Sequence, residues 1–228
     1  MKKYSILFSF ILLLAVAAPA SAINYVIGGA YGNDGYTSPY AGAIVETFNG
    51  GSSNLGWNVT GNFAIRDGSV ESAAAPWWDN HGVEAVPGIP GARDQSHYLT
   101  VPLALTETRS AIVSFKGESY NYFGLWWGSM DSYNKLEFLD SDLETVLDTV
   151  LGSTFSIGNG AQDDPNTNKY VNFYGMPDFY GVRLTSTSFA FEADNLAVGK
   201  NVVPEPTTML LLGLGLVGLA GAGRKFKQ

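Results

Sequence analysis

The run Tyr122-Phe123-Gly124-Leu125-Trp126-Trp127 constrains this chain most, because it is almost continuously apolar. A run of that kind is a strand at the centre of a sheet or covered on both faces, so further strands must flank it. They are plentiful. His97 to Val101 ends at Pro102, and Ser110 to Phe115 alternates small or polar with apolar residues. Lys135 to Leu139 turns through Asp140-Ser141-Asp142 and returns as Thr145 to Leu151, which predicts a hairpin. Tyr170 to Tyr174, Tyr180 to Leu184, Ser188 to Glu192 and Asn195 to Val198 follow a polar loop. Upstream, Ala43 to Phe48 stops at the turn Asn49-Gly50-Gly51, and Trp57 to Thr60 and Asn62 to Arg66 come after it. No 3.6-residue period runs through residues 23–203. Short strands with turns about every 8–12 residues predict an all-β domain, a jelly-roll-like β-sandwich.

Composition agrees. The chain has 27 Gly, 12 Tyr, 13 Phe and 5 Trp, which favours strands and turns over helices. It has no cysteine, so packing must hold the fold, and a thiol nucleophile or thiolate metal site is excluded. Formal net charge is −8, but residues 23–203 hold 8 basic and 20 acidic side chains, a net of −12. Nucleic acid and anionic lipid repel such a domain, so no nucleic-acid partner is expected.

Both ends read as targeting segments. Residues 1–22 are a secretory signal peptide: Lys2 and Lys3, an apolar stretch from Ile6 to Ala18, and the small-residue site Ala20-Ser21-Ala22. Residues 23–202 are the sandwich domain. From Val203 to Gln228 the chain changes character again. Pro204-Glu205-Pro206 holds it extended, 17 uncharged residues follow from Thr207 to Gly223, and Arg224, Lys225 and Lys227 close it. Seventeen residues lie at the lower edge of what spans a bilayer, and the basic cluster orients the domain outward. Five glycines in the stretch suit transient insertion better than permanent anchoring.

The Val-Pro-Glu-Pro, the apolar segment and the Arg-Lys tail closely resemble the PEP-CTERM protein-sorting domain. That resemblance implies processing by an exosortase at Pro204, Glu205 and Pro206, with Arg224 and Lys225 as the basic end of the signal. It also implies transient insertion in the inner membrane of a Gram-negative-type bacterium, then delivery to the cell surface or extracellular matrix. Tyr120 to Asp140 and Phe189 to Gly199 are similar to a family of exosortase-dependent surface proteins, which carries no established active site.

The domain offers few chemical motifs. His81 and His97 have no metal-binding or catalytic spacing, although Trp77-Trp78-Asp79-Asn80-His81 and Asp94 lie near them, and no nucleophile elbow is present. Paired carboxylates for glycoside hydrolysis need only spatial proximity, which the sequence does not specify. Calcium has two candidate sites. Asp164-Pro165-Asn166-Thr167-Asn168 spaces oxygens like an EF-hand start, but Gly175 stands where the bidentate Glu belongs. Alternatively, Glu46 from the first strong strand meets Glu192 and Asp194 from the last, as in many jelly-roll carbohydrate-binding domains. Solvated turn acids are the competing account of both. Among the aromatics, Trp77 and Trp78 sit on a Pro/Gly-rich loop and are the candidate sugar-contacting residues, whereas Trp126 and Trp127 are expected in the core. The expected role is that of a non-enzymatic structural or adhesive component of an extracellular polysaccharide matrix. Its rivals are a carbohydrate-binding module and a secreted polysaccharide hydrolase.

Overall fold

A computed structural model describes residues 23–32, 34–78, 92–155 and 159–202. The signal peptide, His81 and the sorting tail lie outside them, as do the side chain of Trp78 and every residue of the 207–223 span. Among the described residues no helix is long and apolar enough to cross a membrane.

Among the described residues sixteen strands form in chain order. They are β1 (Asn24–Ile27), β2 (Ala30–Gly32), β3 (Gly35–Thr37), β4 (Ile44–Glu46), β5 (Asn58–Gly61), β6 (Ala64–Asp67), β7 (Trp77–Trp78) and β8 (Ala92–Arg93). Then come β9 (His97–Val101), β10 (Ser110–Ser114), β11 (Tyr120–Gly128), β12 (Asn134–Leu139), β13 (Val146–Leu151), β14 (Lys169–Phe179), β15 (Gly181–Ser186) and β16 (Phe191–Gly199). The larger sheet runs β1-β14-β11-β16-β9-β6, with β4 pairing the far end of β16; the smaller runs β13-β12-β15-β10-β5. All these pairings are antiparallel. The two sheets make the expected sandwich.

Period-2 alternation decides which residues meet between the sheets. Phe123, Leu125 and Trp127 of β11 point inward with Phe191 and Ala193 of β16, against Leu136 and Phe138 of β12 and Val182 and Leu184 of β15. Phe138 joins the layers, packing edge-on to Phe123 at 5.7 Å and to Phe173 at 5.6 Å. Trp127 stacks on Phe191 at 4.4 Å and 10°. The predicted hairpin forms as β12–β13, with Lys135 opposite Leu151. Two predicted segments, Ser188 to Glu192 and Asn195 to Val198, become the single strand β16. A bulge explains the apparent break: the register slips between Gly124 and Trp126 of β11, where Asn195 adopts φ 49°.

Strand β11 is central and covered on both faces, as its apolar run requires. Trp127 faces the core, while Trp126 faces outward beneath a third layer that the sequence does not announce. After β1, the edge strand beside β14, the β2–β3 hairpin lies over the outer face of the larger sheet, with β3 against β11 and β16. Tyr36 meets Trp126 edge-on at 5.7 Å, and Tyr40 meets Tyr122 edge-on at 5.0 Å. Gly35 makes the contact possible. A Cβ there would lie 1.9 Å from Trp126 Cζ3, and its φ of +91° is one that only glycine adopts freely.

Gly35→Ala should therefore destabilise the fold by about 2–4 kcal/mol, combining backbone strain with overpacking. A urea midpoint equal to the parent's would show that the hairpin does not dock on Trp126.

Candidate functional site

The three acids expected to share a calcium ion go to three different places. Glu46 is buried, and its carboxylate accepts hydrogen bonds from the backbone N–H of Phe48 (2.8 Å), Asn54 (2.9 Å) and Leu55 (2.9 Å) and from the Ser53 hydroxyl. Those donors use both oxygens to shape the turn after β4, so Glu46 is a scaffold carboxylate. Glu192 accepts from Ala74 N–H (3.0 Å) and Ser129 Oγ (2.7 Å). Asp194 lies beyond it on the same face of β16 and meets Asp94 instead. Among the described residues no group of three or more His, Asp or Glu side chains is placed to hold a metal ion.

The loop with EF-hand-like spacing is also built inward. Asp164 Oδ1 accepts from Asn166 N–H at 2.8 Å, an Asx turn. Asn168 is buried, its Oδ1 accepting from both Trp77 N–H (3.0 Å) and Ser129 N–H (3.0 Å). It joins this loop to β7, so the Asn168 oxygen is already committed inside the fold. Trp77 is half-buried and pairs with Arg93 across β7–β8, so the chain bends back where the sequence predicts only a loop. Trp126 and Trp127 are buried, as expected. Tyr122 is buried too, its hydroxyl 2.7 Å from Ser38 Oγ and donating to Asn172 Oδ1 at 2.8 Å. His97 opens β9, with its N–H donating to Asn49 Oδ1.

The described residues line two concavities that bear on function. The larger, about 380 Å³, lies where the β2–β3 hairpin meets the start of β14, lined by Ile27, Tyr31, Tyr36, Asn166, Lys169 and Tyr170 among others. Tyr31 is 41% exposed, and its ring sits 5.1 Å from that of Tyr36 at 43°. Tight backbone packing forms the floor, since a Cβ on Gly29 would lie 2.8 Å from Tyr170 Cβ. Aromatic faces beside an amide and an ammonium group suit a ligand that is flat on one side and rich in hydroxyls at its edge. The sequence shows Tyr31 and Tyr36 only as parts of a Gly/Tyr-rich stretch, and the hairpin that pairs them has strands too short to announce themselves.

The smaller concavity, about 170 Å³, is lined by Glu71, Ser129, Asp131, Tyr133, Asn159 and Glu192 among others. Burial pushes the Glu192 carboxyl up to about 7 although Ser129 and Ala74 hydrogen-bond its charged form, and the Asp131 charge adds to the rise. Burial also raises Asp131.

At Val202, where the description ends, the sandwich is closed by Asn201 N–H donating to Asn121 Oδ1 at 2.7 Å. Residues 202–225 match the family model of the PEP-CTERM protein-sorting motif. The chain thus carries a PEP-CTERM sorting signal. The motif implies export, sorting to the cell surface and an exosortase as processing partner. No curated protein matches the chain.

For this PEP-CTERM protein Glu192 sets a pH dependence. The folded domain holds the Glu192 proton more tightly than the unfolded chain does. Its contribution to stability is thus fully present below the ordinary value of 4.5 and is lost as pH rises through about 7. Asp94, Asp131 and Asp194, all raised by burial, slope the same way. Urea unfolding across this range should show a shallower loss of stability for Glu192→Gln than for the parent; parallel curves would mean that Glu192 is ionised throughout.

Proposed function

We propose that the exported domain is a non-enzymatic, adhesive component of an extracellular polysaccharide matrix, holding glycan in the groove between the β2–β3 hairpin and β14. The observation that carries this reading is the Tyr31–Tyr36 pair flanked by Asn166 and Lys169. Tyrosine rings offer apolar faces to the C–H side of a sugar ring, and the amide and ammonium groups meet its hydroxyls. Lys169 also brings a positive charge to an otherwise acidic domain, which favours anionic sugars over neutral ones. The non-enzymatic part of the reading draws on Glu192, the one carboxylate with a strongly raised pKa that reaches a cleft, because two structural donors occupy its oxygens. Sorting brings the domain to the polymer it binds.

Electrophoresis through gels containing the host's own extracellular polysaccharide tests the binding. The parent should be retarded, and Tyr31→Ala should weaken binding about tenfold, since it removes one of the two aromatic rings that line the groove. The same mixture should release no reducing ends. Equal migration of parent and variant would remove the groove from the account.

Delivery is tested separately. We place the processing step at Pro204-Glu205-Pro206, after transient insertion of 207–223 in the inner membrane of a Gram-negative-type cell. Mass spectrometry of surface material should find a C-terminus near these residues, with Arg224 and Lys225 absent. Recovery of an intact tail on the surface form would defeat that step.

A further inference from the structure

Asp94 and Asp194 face each other in the interior with no basic group between them. Asp194 stands on the outer face of β16, 0% exposed, just before the Asn195 bulge. Asp94 follows β8 and is 4% exposed, its N–H held by Pro76 O at 2.8 Å. One hydroxyl serves both carboxylates: Ser96 Oγ donates to Asp94 Oδ1 at 2.6 Å and lies 3.4 Å from Asp194 Oδ2. A hydroxyl has one proton, so it answers the first and barely reaches the second. Ser96 N–H adds a second bond to Asp94 Oδ1 at 2.8 Å. The other two oxygens, Asp94 Oδ2 and Asp194 Oδ1, are out of solvent and meet no donor group, while the two carboxyl groups lie within hydrogen-bond reach of each other.

Two buried carboxylates with bare oxygens are costly, and they persist only when something positive compensates them. No ion pair among the described residues reaches them. Among the described residues the ion pairs Lys135–Glu137 and Arg183–Glu137 lie on the smaller sheet. Arg93 is next in sequence to Asp94, but its Nη1 donates to the carbonyls of Ala75 and Gln162. Asp34 adds more negative charge near Asp94. Its backbone carbonyl is drawn in by Asn195 Nδ2 at 2.9 Å.

The geometry points to a divalent cation of the calcium type, held between Asp94 and Asp194 through their two unpartnered oxygens. Among the described residues the groups identified at this place, Asp94, Asp194 and Ser96, all offer oxygen, which selects a hard ion over zinc or copper. Two carboxylates supply the charge, and neutral oxygens, Ser96 Oγ first among them, supply the remainder of the six to eight ligands that calcium takes. The place also makes structural sense. Asp94 belongs to the connection into β9, Asp194 to the central strand, and Asp34 to the β2–β3 turn, so one ion would fasten two surface segments to the sheet.

The rival account is one proton shared by the two carboxylates, since burial and the Asp94 charge hold Asp194 well above the ordinary carboxylate range. Titration of the exported protein with calcium chloride, after chelator treatment and exchange, separates the two. One saturable site should appear, and millimolar calcium should raise Tm by several degrees over the value in EDTA. Asp94→Asn and Asp194→Asn should each abolish the heat and the calcium-dependent rise, while Asp140→Asn, in a turn of the smaller sheet, keeps both. In EDTA, Asp194→Asn should melt no lower than the parent, because it removes half of an uncompensated repulsion; that readout survives any concern about misfolding. No heat above dilution, with one Tm in calcium and in EDTA, would overturn the cation. So would calcium binding that persists in both Asn variants, or a Tm in EDTA that climbs as pH falls while calcium has no effect.

Discussion

Strand β16 has to bury polar side chains, and much of the molecule is arranged to meet that demand. All nine of its residues are inaccessible, yet Glu192, Asp194 and Asn195 sit on the face turned away from the sandwich core. A buried carboxylate or amide left without partners would cost several kcal/mol, so each needs an answering group. Ala74 and Ser129 answer Glu192. The Asp94–Ser96 corner approaches Asp194. The carbonyls of Asp34 and Tyr36 accept from Asn195 Nδ2. Each group comes from a different part of the chain, and together they roof the sheet that β16 centres.

What the sequence discloses follows from which interactions are local. The apolar alternation of Ser110 to Phe115 and the turn at Asp140-Ser141-Asp142 act over a few residues, so strands β10, β12 and β13 are legible without the structure. The unbroken Tyr122 to Trp127 run likewise announces a central strand, though not that its two tryptophans face opposite layers. Strands β2 and β3 are three residues each, rich in Gly and Tyr, and form because Gly35 lets the hairpin press on Trp126. That cause lies about 90 residues away and leaves no periodic mark. The acids divide the same way. Glu46, Glu192 and Asp194 are recognisable as strand carboxylates, but their partners are set by tertiary placement: Glu46 turns to its own following loop and Asp194 to Asp94. The groove under the β2–β3 hairpin is equally hidden, because Tyr31 and Tyr36 meet only once the hairpin pairs them.

The two halves of the function are legible for unlike reasons. A sorting signal is read by a processing enzyme as extended chain, so order and spacing along the sequence carry the information, and residues 202–225 are recognised from them alone. The groove proposed for the passenger is assembled from Ile27, Tyr31, Tyr36 and Lys169, whose meeting depends on strand pairing. The two meet at Asn201, tied to Asn121 on β11, so the address begins where the last strand is fastened.

With no cysteine to cross-link it, the outer layer is held by packing and hydrogen bonds alone, and the groove inherits that dependence. One wall belongs to the hairpin, through Tyr31 and Tyr36, and the other to the sandwich, through Lys169 and Tyr170. Tyr170 itself donates to the carbonyl of Asn195, the residue whose side chain grips the hairpin. Anything that tightens the β16 bulge therefore steadies both walls. A cation at Asp94 and Asp194, adjacent to Asn195 in the strand, would act at that point, lowering the entropy that a sugar must otherwise quench on binding. Calcium supply outside the cell and adhesion to polysaccharide would then be linked through two consecutive positions of β16, Asp194 and Asn195, without any contact between ion and sugar.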